Sequence, residues 1–134
     1  MVKKVFPATD DSLADAIAFV EEQLEALDCP MKLVMQITVC VEEMFVNVAH
    51  YAYGTGTGDC EMILDDEDGM FSITMIDSGM LFDPLAKDDP DITLSAEERN
   101  IGGLGIYMVK KSMNEVFYER KDGKNIFVMK KKIG

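Results

Sequence analysis

Cysteine is scarce in this 134-residue chain, and the three present (Cys29, Cys40, Cys60) are odd in number and form no Cys-x-x-Cys pair. That argues against a disulfide framework and a zinc knuckle, and points to a reducing, cytoplasmic setting. No apolar run approaches the roughly 18 residues of a membrane span, and mean hydropathy is only +0.02, so no transmembrane helix and no membrane partner are expected. Asp10, Asp11 and Asp15 interrupt the apolar residues of the first 19 positions, so no signal peptide is expected either. Positive charge is also in short supply. Thirteen Lys and Arg stand against 25 Asp and Glu, a net charge of -12 that opposes binding to a phosphate backbone and weighs against nucleic acid as a partner. The imbalance is uneven: residues 1–109 hold 5 basic and 22 acidic side chains (-17), residues 110–134 hold 8 and 3 (+5).

What is present fits one compact domain over residues 1–134, with 48% hydrophobic and 28% charged residues and four prolines. Residues 2–6 read as an edge strand closed by Pro7. Asp10, Asp11 and Ser12 offer N-cap oxygens to a first helix whose stripe is Leu13, Ile17, Val20, Leu24 and Leu27, stopped by Asp28-Cys29-Pro30. A longer helix is predicted over residues 31–52, burying Leu33, Ile37, Val41, Met44 and Val48, and ended by the glycine-rich residues 54–58. Those glycines are not a P-loop, because no Gly-Lys-Ser/Thr follows. Residues 60–64 and 71–76 read as a hairpin around an acidic turn ending in Gly69. Residues 78–103 carry two prolines, six acidic residues and little periodicity; so long a connection in so small a domain reads as a lid. A short helix over 104–112 and a hairpin of 115–119 with 125–131 complete the order β-α-α-β-β-lid-α-β-β. That order suits an α/β (α+β) two-layer sandwich, a mixed and mostly antiparallel sheet with helices on one face.

Three clusters carry chemistry. Glu43 and Asn47, four apart, share one helical face in an apolar context; Asn offers a neutral hard oxygen suited to Mg²⁺ and Glu a general base, though a solvated polar stripe has the same spacing. Asp77-Ser78-Gly79 places a carboxylate at a strand end, where it can accept a hydrogen bond from an exocyclic amine such as that of adenine, or simply make a turn. Gly102-Gly103-Leu104-Gly105 opens a helix, where unpartnered backbone N–H groups can receive a phosphate, or where the chain can hinge. The lone histidine, His50, reads as structural or site-lining, and the eleven methionines as gap fillers in the core or, where exposed, an adaptable protein-binding face.

Together these residues resemble the Bergerat-fold ATPases. Within that superfamily the chain is similar to the bacterial anti-sigma-factor serine kinases, through Glu42-Glu43-Met-Phe-Val-Asn47-Val-Ala-His-Tyr-Ala-Tyr53, Asp77-Ser-Gly-Met-Leu-Phe-Asp-Pro84, Gly103-Leu-Gly-Ile-Tyr-Met-Val109, Val116-Phe-Tyr-Glu-Arg120 and Asn125. The resemblance covers nearly the whole chain. It implies ATP and Mg²⁺ as cofactors, with Asn47 on the metal, Glu43 as the catalytic base, Asp77 and Gly79 at the adenine, and Gly103, Leu104 and Gly105 around the phosphates. It also implies a protein serine kinase that phosphorylates an anti-sigma-factor antagonist and sequesters a sigma factor, with dimers common. A non-catalytic ATP-binding module that holds a partner, and an ATP hydrolase without a protein acceptor, are the alternatives. Two positions depart from the family: Leu81 stands where a glycine is frequent, and Tyr51 where histidine is.

Overall fold

A computed structural model describes residues 1–54, 56–85 and 103–134, with the side chains of Gly103 and Leu104 left aside. Five strands, β1 (Val2–Pro7), β2 (Asp59–Glu67), β3 (Met70–Asp77), β4 (Glu115–Lys121) and β5 (Lys124–Lys132), form one sheet in the order β1-β2-β3-β5-β4. Every described strand pair is antiparallel. The helices α1 (Leu13–Ala26), α2 (Met31–Asn47) and α3 (Gly103–Ser112) complete the second layer. Both hairpins turn on Asp-Gly: Asp68 and Gly69 take φ of 53° and 80°, Asp122 and Gly123 take 52° and 75°. Two successive positive φ values match the right-handed twist of the flanking strands, so pairing continues into the turn. For that reason the acidic residues 65–67, expected in a loop, are strand residues paired with Met70, Phe71 and Ser72.

One face of the sheet is buried under the helices. Met62, Leu64, Phe71, Ile73, Met75 and Met129 meet Val20, Leu24, Ile37, Val41 and Phe45 in a single core. Each fully buried large side chain there contributes about 1.5–3 kcal/mol over an exposed one. Helix α2 packs against both α1 and α3, so its buried arc is wider than one stripe. Val34, Cys40 and Phe45 are buried as well as Ile37, Val41 and Met44, whereas Leu33 and Val48 are only half-buried. The expected N-cap bonds at α1 are absent: a turn of 3-10 helix (Asp10–Ser12) precedes it, and the Ser12 hydroxyl meets Thr9 Oγ1 at 3.2 Å instead.

After Asn47 the long helix widens into a π-helical turn, Val48–Ala52, rather than running on as α-helix to Ala52. Gly54, at φ 57°, then ends it as expected. Contrary to the hydropathy reading, the combined stretch Met31–Ala52 is long and apolar enough to cross a membrane by length and composition. Here it is the central core helix, with Ile37, Val41 and Phe45 fully buried.

Candidate functional site

The C-terminal half of α2, its π-helical turn and the adjoining ends of β3, β4 and β5 enclose a pocket. Its walls are Met44, Val48, Ala52, Met75 and Phe127, an apolar slot into which Asn47, Asp77 and Asn125 bring polar atoms. Most ligand pockets have that composition, apolar walls with a few placed polar groups. The open space at its centre is about 40 Å³, and Phe82 and Pro84 complete its lining.

Asp77 is the last residue of β3 and 7% exposed. Its Oδ1 accepts from the Gly79 amide at 3.0 Å and from Asn125 Nδ2 at 2.9 Å. Its Oδ2 accepts from no described residue, and Asp77 lines the pocket. The carboxylate therefore keeps one acceptor for a ligand donor. Gly79 is glycine for a reason other than a sharp turn, since its φ is not positive. A Cβ there would run into the backbone carbonyl and Cβ of Ala52, against which this loop is packed. The same carbonyl accepts from the Met80 amide at 2.7 Å.

On α2, Asn47 Nδ2 donates to the Glu43 carbonyl one turn earlier at 3.0 Å. A carbonyl can only accept, so this bond fixes the amide with Oδ1 turned the other way, and Oδ1 meets no donor among the described residues. A half-buried neutral oxygen of that kind suits a hard divalent cation. The Glu43 side chain, also half-buried, lies against Gly105 in the first turn of α3: a Cβ on Gly105 would collide with Glu43 Oε2. Gly105 thus admits Glu43, whatever else it admits. Among the described residues, no group of three or more His, Cys, Asp or Glu could hold a metal ion, so the pocket supplies Asn47 alone and a cation would take its remaining ligands from elsewhere.

The predicted residues Glu43, Asn47, Asp77, Gly79 and Gly105 are therefore brought to one end of the helix layer. Gly103 and Leu104 begin α3, but Gly102 and the predicted lid beyond residue 85 lie outside the described residues. Leu81 is exposed, and Tyr51 is half exposed on the pocket rim. His50 turns outward to Asp10 at 2.7 Å, a structural contact that ties the π-helical turn to the start of α1.

Sequence reasoning gave no role to a second tier. Asn125 of β5 faces Asp77 across the sheet register and is 6% exposed. Tyr118 of β4 donates to Asn125 Oδ1 at 2.6 Å, and Arg120 Nη1 donates to the Gly79 carbonyl at 2.9 Å. Burial pushes the Tyr118 phenol up, which keeps it a proton donor. The sequence signal for this tier was the family resemblance over residues 116–120 and at Asn125, which assigned these residues no task.

Comparison with known proteins gives a consistent picture. The family described as the histidine kinase-like ATPase domain matches residues 6–131. A serine/threonine-protein kinase of Bordetella bronchiseptica, BtrW, is 25% identical over 95 residues, covering 70% of this chain and 67% of that protein. The structure of the RsbU and RsbW domains of a Mycobacterium tuberculosis protein superposes with a TM-score of 0.66 at 15% identity, over 99% of this chain; this chain spans only 33% of that one. The SiaB–SiaC complex of Pseudomonas aeruginosa gives 0.61 at 17% identity, over 98% of this chain and 89% of that one. At these identities the two structures speak to the fold.

Proposed function

This chain belongs to the histidine kinase-like ATPase domain family, and from that premise we propose that it is a Mg-ATP-dependent protein serine kinase acting as an anti-sigma regulatory factor. Its acceptor would be a small antagonist protein, and its second partner a sigma factor held inactive. One observation carries the reading: Asp77 Oδ2 and Asn47 Oδ1, the two polar atoms suited to an adenine amine and a divalent cation, both meet no donor among the described residues, at one pocket. The similarity to a relative named serine/threonine-protein kinase supports protein phosphorylation over simple hydrolysis.

In this reading Asp77 accepts from the exocyclic amine while Met44, Met75 and Phe127 sandwich the base and exclude water. Asn47 Oδ1 would hold Mg²⁺, the first turn of α3 from Gly103 through Leu104 to Gly105 would receive the phosphates, and Glu43 would take the proton of the accepting serine. The chemistry that bound Mg-ATP supplies is a transferable phosphoryl group with its charge neutralised, so the protein's task is positioning. We assign the chain one domain, residues 1–134 with a lid over about 78–103, and a cytoplasmic location.

The test is transfer of labelled phosphate from Mg-ATP to candidate antagonist proteins. We expect label on serine, lost in Glu43→Ala while calorimetry still detects ATP binding. No transfer to any candidate, or transfer undiminished in Glu43→Ala, would sink the kinase mechanism. Partner binding that needs nucleotide but survives Glu43→Ala without any transfer would establish a non-catalytic module instead.

A further inference from the structure

Asn125 differs from the other polar residues of the pocket in having no atom left for a ligand. Its amide nitrogen has two hydrogens and its oxygen two lone pairs. Nδ2 donates to Asp77 Oδ1 at 2.9 Å and to the Met80 carbonyl at 2.7 Å. Oδ1 accepts from the Tyr118 hydroxyl at 2.6 Å and from the Phe82 amide at 3.4 Å. The partners fix the orientation of the amide, since the carbonyl can only accept and the Phe82 amide can only donate. Four bonds on a residue that is 6% exposed make it a rigid node joining β3, β4, β5 and residues 80–82.

The consequence falls on Asp77. A carboxylate at a strand end has several rotamers, and only some direct an oxygen into the slot. With Oδ1 clamped between the Asn125 amide and the Gly79 N–H, the rotamer is set and Oδ2 is the atom presented to the pocket. We infer that Asn125 is a positioning residue for nucleobase recognition: it does not touch the base, and it acts by holding the Asp77 carboxylate with one oxygen free for the exocyclic amine. The inference rests on the nucleotide-site reading above and adds to it a pocket-lining residue whose amide is taken up by protein partners. Preorganising the group that recognises the ligand lets association proceed without first ordering it.

A purely structural Asn125 would pin residues 80–82 to the sheet and weaken every ligand alike. The experiment separates the two by calorimetry with Mg-ATP and with the Mg complex of purine riboside triphosphate, which lacks the exocyclic amine. Titrations use the wild type, Asn125→Ala and the isosteric Asn125→Asp. We expect Asn125→Ala to weaken ATP at least about tenfold more than the amine-free analogue, because only ATP has the group that Asp77 recognises. In Asn125→Asp a second carboxylate replaces the donor beside Asp77. Its ATP affinity should be lowest at neutral pH and recover as pH falls, when a shared proton again supplies an O–H donor. The other titratable or charged groups around this point are Tyr118 and Arg120 of β4, Asp83, Tyr53 and Cys60, all unchanged in the variant, so the wild type measured over the same pH range is the reference. Equal losses for both nucleotides, with no recovery of Asn125→Asp at low pH relative to wild type, overturn the inference while leaving the nucleotide site intact. Failure of the wild type to bind ATP overturns the nucleotide-site reading itself, and the inference with it.

Discussion

At the Asp77 end of the pocket the Asn125 amide and one oxygen of the Asp77 carboxylate are held by neighbours from three strands and the loop after β3. At the Asn47 end the polar side chains are half-buried, and the one hydrogen bond between them is local to a single helix, from Asn47 back to the Glu43 carbonyl. The first end is built in advance, with its acceptor aimed before any ligand arrives. The second is a pair of side chains on one helix, with Glu43 lying against Gly105 and no further hydrogen bond to either side chain among the described residues. Under the proposed function, such a site would recognise with its pre-set half and do its chemistry with the half carried by one helix.

The strongest way to break the contrast is to disturb the packing that makes the first end rigid. Gly79→Ala drives a Cβ into the Ala52 carbonyl, a contact with backbone that has no side-chain freedom to yield. We expect a loss of about 3 kcal/mol or more in unfolding free energy by chemical denaturation. Stability near wild type would show that the loop is less fixed than its packing implies. A sharper comparison sets Asp77→Asn against Asn47→Ala. The first should cut ATP affinity by about 100-fold, roughly 2.7 kcal/mol, with or without magnesium, because it removes the acceptor and leaves a donor facing the amine. The second should cost about tenfold and only when magnesium is present. Calorimetry with and without chelator reads both; equal magnesium dependence would erase the division. The smallest effect concerns Cys60, which faces Asp77 in the sheet register and whose thiol burial pushes up to about 12. Its folded value lies above the ordinary 9.0, so the folded thiol keeps its proton where the unfolded one loses it. Stability should be full below about pH 9 and decline between about 9 and 12, and Cys60→Ala should flatten that decline.

Most of the fold was legible because its signals are local. Two Asp-Gly turns located both hairpins, and glycine and proline bracketed the helices, so element order followed directly. What was misplaced depended on neighbours. The buried arc of α2 was drawn as one stripe, although a helix packed between two others also buries Val34, Cys40 and Phe45. Acidic residues 65–67 looked like loop by composition, and became strand because the turn beyond them is only two residues long. For the site, Glu43, Asn47 and Asp77 announced themselves through the resemblance and through chemistry. Asn125, Tyr118 and Arg120 shared in the resemblance without a role, because their task is defined by partners up to 48 residues away in sequence and becomes visible only once the strand register is known.

The wide π-helical turn between Asn47 and Ala52 also bears on which substitutions the chain tolerates. It is anchored at its far end, where the Ala52 carbonyl receives Met80 and its Cβ borders Gly79, and tethered on its outer side by His50 and Asp10. Tyr51 projects from the middle of that span and is half exposed. Substitution is thus constrained unevenly: position 51 meets solvent and the pocket rim, whereas position 79 must stay glycine, because a Cβ there meets the backbone of residue 52 whatever side chain that residue carries. The departure from the family at 51 falls on the side of that divide that meets solvent.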